Sequence, residues 1–154
     1  MTVRICGTTD VSRYDAHRGV TNGGIINSTI SGASLLGGGT FEFRNNKVYS
    51  GNETYILRLR EDYGGSWKGT FNISDIEWHF AGNSGSVLSA ILAYKVESHN
   101  FGYTCYAPSE VNISGTFNVK TSATGISVYA GKITSVKEYA GCDGCAGDQT
   151  YPYV

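Results

Sequence analysis

The stretch that decides the fold class is Trp67–Phe80, WKGTFNISDIEWHF. In its second half Ile76, Trp78 and Phe80 fall on one side, and Asp75, Glu77 and His79 on the other. Successive side chains of an extended strand point to opposite faces, so this alternation marks a strand with one face in a core and one toward water. Gly82-Asn83-Ser84-Gly85 then interrupts the pattern with residues typical of a turn.

The same period extends outward in both directions. Thr40–Phe43 and Lys47–Ser50 flank Arg44-Asn45-Asn46, which is expected to be a hairpin turn. Thr54–Arg60 places Tyr55, Leu57 and Leu59 on one face. Tyr103–Tyr106, Glu110–Lys120, Ile126–Ala130 and Lys132–Tyr139 supply further strands. One segment, 86–97, fits two periods. Val87, Leu88, Ile91 and Leu92 form a helical stripe that Ser86 could cap, whereas Ala90, Leu92, Tyr94 and Val96 form a strand face. The turn-rich Ser98–Gly102 that follows favours the strand. The expected architecture is therefore all-β: an antiparallel β-sandwich or barrel, jelly-roll-like, with at most one short helix at 86–97.

A faint echo runs through the chain. Gly39-Thr40-Phe41, Gly69-Thr70-Phe71 and Gly115-Thr116-Phe117 share one motif, at unequal spacings of 30 and 46 residues. Repeat architectures keep a fixed period, so neither a solenoid nor a propeller is expected, and similar strand starts account for the echo.

Residues 1–38 differ from the rest. Gly7–Gly24 holds few large apolar side chains, and Gly37-Gly38-Gly39 closes the segment with a hinge. The expected organisation is an extended N-terminal arm at 1–38, a β-domain at 39–140 and a Gly-rich, aromatic tail at 141–154. On this reading Ile25, Ile26, Ile30, Leu35 and Leu36 of the arm, with Tyr151 and Tyr153 of the tail, form an interface that neighbouring subunits cover.

Composition narrows the function. Of 154 residues, 21 are Gly, about twice the ~7% of an average domain, and 16% are charged against ~25%. This excludes coiled coils and disordered chains, and glycines without a period of three exclude collagen. Twelve basic and thirteen acidic residues are interspersed, for a net charge of −1, so no phosphate-tracking surface and no nucleic-acid partner is expected. No apolar run of ~18 residues suggests a membrane span. The opening Met1-Thr2-Val3-Arg4-Ile5-Cys6 has no secretory pattern, which places synthesis in a cytoplasm. The sequons at Asn27, Asn52, Asn72 and Asn112 are then read as unglycosylated.

Few residues suggest chemistry. Cys142 and Cys145 have the spacing of a zinc knuckle, but a structural zinc needs two more ligands, and Cys6 and Cys105 stand alone. Free thiols, disulfides and zinc all stay open, with free thiols favoured and no metal or cofactor expected. Asp75, Glu77 and His79 could form an acid–base row, but the solvent face of a sheet, paired with Arg58 and Arg60, explains them more simply. No nucleophile elbow, Walker loop or His-Glu-x-x-His occurs. The chain is not expected to be an enzyme or to take a small-molecule ligand.

A β-rich body of low charge, without catalytic motifs and with an arm, suits a virion structural protein. A bacteriophage capsid decoration (cement) protein or a tail-tube-type subunit is expected, a homo-oligomer acting through contacts with itself and other virion subunits. The alternative is an extracellular glycan- or ligand-binding β-module, with Trp67, Trp78 and Tyr63 as exposed stacking platforms.

Overall fold

The computed structural model describes residues 1–16, 20–60, 67–94, 104–106, 108–129 and 138–140. Their strands are β1 (Thr2–Cys6), β2 (Arg13–Asp15), β3 (Asn22–Ile26), β4 (Thr29–Ile30), β5 (Gly32–Leu35), β6 (Gly37–Gly51) and β7 (Tyr55–Arg60). These are followed by β8 (Trp67–Phe80), β9 (Val87–Tyr94), β10 (Thr104–Tyr106), β11 (Glu110–Lys120), β12 (Ser127–Tyr129) and β13 (Glu138–Ala140). Within the ambiguous segment 86–97, Val87–Tyr94 form strand β9 and 95–97 lie outside the described residues, which contain no helix.

The strands assemble into two large sheets, one in the order β1-β3-β6-β8-β11 with β4 beside β6, the other β2-β5-β7-β9-β12. Every pairing in both is parallel, and among the described residues only the short β10–β13 pair is antiparallel. The expected antiparallel sandwich or barrel is thus corrected, since neither sheet closes on itself. Each passage of the chain lays one strand in the first sheet and one in the second. The described residues form a solenoid with five coils among them: β1 with β2, β3 with β5, β6 with β7, β8 with β9, and β11 with β12.

This also overturns the exclusion of a solenoid. Thr2 lies opposite Asn22, Gly23 opposite Phe41, Phe41 opposite Phe71 and Phe71 opposite Val111, so successive coils span 20, 18, 30 and 40 residues. The strands stack in register while the connections between them take up insertions of different length, which hides the period. The echo is partly real stacking. Gly39, Thr40 and Phe41 lie opposite Gly69, Thr70 and Phe71, whereas Gly115 takes a different place in its coil. The shared glycine has a steric cause. A Cβ on Gly39 would lie 1.8 Å from the Thr21 carbonyl oxygen, and one on Gly69 would lie 2.1 Å from that of Gly39, both at positive φ.

The Arg44-Asn45-Asn46 segment is a corner, not a hairpin. Strand β6 continues through it with Asn45 at φ 53°, bending the sheet without reversing the chain. Gly7, Asn27, Asp75 and Gly115 take the corresponding place in the other coils at φ 70°, 53°, 54° and 70°. The left-handed conformation is open to Gly and tolerated by Asn and Asp, so the corner column selects those residue types.

One core fills the space between the sheets. Phe41, Phe43, Phe71, Ile73, Trp67 and Trp78 project into it from the first sheet, and Leu35, Leu57, Leu88 and Ile91 from the second. Trp67 and Phe71 pack at 5.4 Å from the Phe41 ring in edge-on geometry. Trp67 Nε1 donates to the Gly39 carbonyl at 3.0 Å and Trp78 Nε1 to Ser50 Oγ at 2.8 Å, so both buried indoles are satisfied. The described strands within residues 1–38, expected as an extended arm, are paired into both sheets, β1 and β3 in the first and β2 and β5 in the second.

Candidate functional site

Two surfaces of the solenoid stand out: its first coil and the corner groove on the outer face of the first sheet. In the first coil, β1 pairs with β3 on one side and with no strand on the other among the described residues. Met1, Val3 and Val11 are 73%, 40% and 50% exposed. Val3 and Ile5 lie over Gly23 and Ile25, and the Phe41 ring packs so close to Gly23 that a Cβ there would lie 3.1 Å from it. A mainly apolar cavity of about 100 Å³ remains, walled by Val3, Ile5, Tyr14, Val20, Ile25 and Phe41.

The groove is larger, about 360 Å³, and polar. It follows the left-handed corner column and the outward row beside it. Asn45 Nδ2 donates to Asn27 Oδ1 at 2.8 Å, and Asp75 Oδ1 accepts from the Thr116 backbone N–H at 3.1 Å and from its hydroxyl at 3.3 Å. The next outward row is Lys47, Glu77 and Asn118 on β6, β8 and β11, followed by Tyr49, His79 and Lys120. His79 Nε2–H donates to Glu77 Oε1 at 2.6 Å, and the Tyr49 and His79 rings stack at 4.1 Å with 9° between their planes. The His79 hydrogen bond, with Lys47 and Lys120 adding their charges, holds the Glu77 carboxyl below the usual carboxylate value against the opposing effect of partial burial. A third polar row lies toward the start of the strands, where Asn72 donates to Glu42 at 2.9 Å and Asn112 to Asn72 at 3.1 Å.

Several expected site residues lie elsewhere. Ile25, Ile30, Leu35 and Leu36 are at most 2% exposed, buried by the chain's own coils, and Ile26 is half-buried. They were expected to need a neighbour because an arm has no core, but here the arm segment is itself part of one. Trp67 and Trp78 are fully buried and cannot serve as stacking platforms. Arg58 lies on β7 in the second sheet, away from Glu77, whose cationic neighbours are Lys47 and Lys120. Tyr63, Cys142, Cys145, Tyr151 and Tyr153 lie outside the described residues, as does the tail 141–154. Among the described residues no group of three His, Cys, Asp or Glu side chains is placed to hold a metal.

The groove residues Tyr49, Lys47, Asn45 and Asn118 were not singled out in the sequence. One signal could have led to them: Asn72-Ile73-Ser74 and Asn112-Ile113-Ser114 are identical triplets, 40 residues apart, that lie opposite each other in adjacent coils. Read as chance sequons without glycosylation, they are in the fold a stacking repeat. No family model, curated protein or solved structure matches the chain.

Proposed function

We propose that the chain is a structural subunit of a virus particle that works by docking its first coil against another subunit. The observation that carries this reading is the open edge of β1. Among the described residues no strand pairs with its outer side, and it lies beside exposed Met1, Val3 and Val11 and over a partly filled core. Such an edge is a template for another strand, and solenoids require their terminal coils to be covered. The register supports a strand from another subunit as the cover. A strand laid on β1 would continue columns that already run Val3, Gly23, Phe41, Phe71, Val111 and Ile5, Ile25, Phe43, Ile73, Ile113. The virion setting rests on the low charge, the absence of a catalytic motif and the rigid β body.

Light scattering on the purified chain is expected to give a mass above that of one copy, reduced to one copy by Val3→Lys with Val11→Lys. Peptides of the chain are expected to co-purify with gradient-banded particles from its source culture. A wild-type chain that stays monomeric at every concentration and is absent from particles would overturn the reading.

A further inference from the structure

We infer that the corner groove is a binding site for a neutral oligosaccharide lying along the stacking axis of the coils. The argument begins with the chemistry of the walls. Asn and Thr side chains and Lys47 supply donors. Asp75 and Glu77 supply acceptors, and among the described residues each carboxylate commits one oxygen, to Thr116 and His79 respectively. A ligand hydroxyl both donates and accepts, so a polyol satisfies such a mixed wall, whereas an apolar ligand would strand its polar groups.

Charge separates the ligand classes further. Two carboxylates stand against Lys47 within the groove, with Lys120 beside it, so no cationic field is available for a polyanion such as nucleic acid or an acidic polysaccharide. Geometry then favours a linear polymer. The corner and the outward rows recur from coil to coil at the ~4.8 Å strand spacing, so successive units of a chain meet a polar side chain at each step. An aromatic face completes the site. Tyr49, 41% exposed, is held flat against His79, which is itself fixed by Glu77, and offers a pre-ordered ring beside the groove for the apolar face of a sugar.

This site is independent of the first coil, so its test does not depend on self-association. The full chain is applied to a printed array of defined neutral and acidic oligosaccharides, and the best binder is titrated by calorimetry. Saturable binding to neutral oligosaccharides is expected, weakened at least about tenfold by Tyr49→Ala and by Glu77→Gln, the loss of one charge-assisted hydrogen bond. Val87→Ala, on the second sheet, is expected to bind as wild type. Circular dichroism shows whether each variant is folded, and Glu77→Gln is isosteric, so loss of fold does not mimic loss of site. No binding to any neutral glycan, binding confined to acidic glycans, or binding indifferent to both substitutions would overturn the proposal.

Discussion

Asn46 is 2% exposed, and both ends of its amide are engaged. Its Oδ1 accepts from the Ser28 backbone N–H at 2.9 Å and its Nδ2 donates to the Ile25 carbonyl at 2.8 Å. Both groups belong to the preceding coil, at the corner where the chain turns out of the β3 ladder. The side chain therefore does there what a neighbouring strand does elsewhere. Asn46→Ala would leave a buried donor and a buried acceptor without partners, each costing about 1–3 kcal/mol. A loss of about 3 kcal/mol in urea unfolding is expected, and a change below ~0.5 kcal/mol, the size of an ordinary surface substitution, would show that the bridge does not hold the corner. Nothing in the sequence separates this residue from Asn45. The two are adjacent and identical, and only the left-handed bend at Asn45 turns one outward and the other into the core.

Strand β8 shows what can and cannot be read from an element. Its alternation correctly placed Ile76, Trp78 and Phe80 inward and Glu77 and His79 outward. Alternation specifies a face and is silent about the partner strand, which is why parallel stacking passed for antiparallel hairpins. The left-handed corners deepened the error, because Asn-rich segments that bend a strand look like those that reverse it. The outward row of β8 also has a pH signature. The folded-state pKa of Glu77 is lowered, so the stability it contributes is fully present above the ordinary glutamate value and is lost as pH falls through the lowered one. Carboxyl NMR titration is expected to show Glu77 protonating below a denatured-state glutamate. Glu77→Gln should remove that portion of the acid sensitivity of the melting temperature, and high salt should shrink it. A Glu77 titration at or above the denatured value would show that His79 and the two lysines do not hold it.

At the scale of the whole molecule, a solenoid has no single centre, because each coil is stabilised by the coils above and below it. Strands β6 and β8 are paired on both sides and carry the fully buried Phe43, Phe71 and Trp78, whereas β1 and β2 are paired on one side only among the described residues. Local opening should follow that gradient. In dilute solution, amide exchange is expected to be slowest in β6 and β8 and fastest in β1 and β2. The first coil also supplies the proposed subunit contact, so its protection should depend on concentration while that of β6 and β8 does not. Docking a strand on β1 would pair its outer side and cover Val3 and Val11, bringing its exchange toward that of the inner coils. Val3→Lys should hold β1 at its fast, dilute-solution rate at every concentration. Protection of β1 that equals β6 in the dilute chain would mean that the first coil is already covered within one molecule, leaving no open edge for a second subunit to complete.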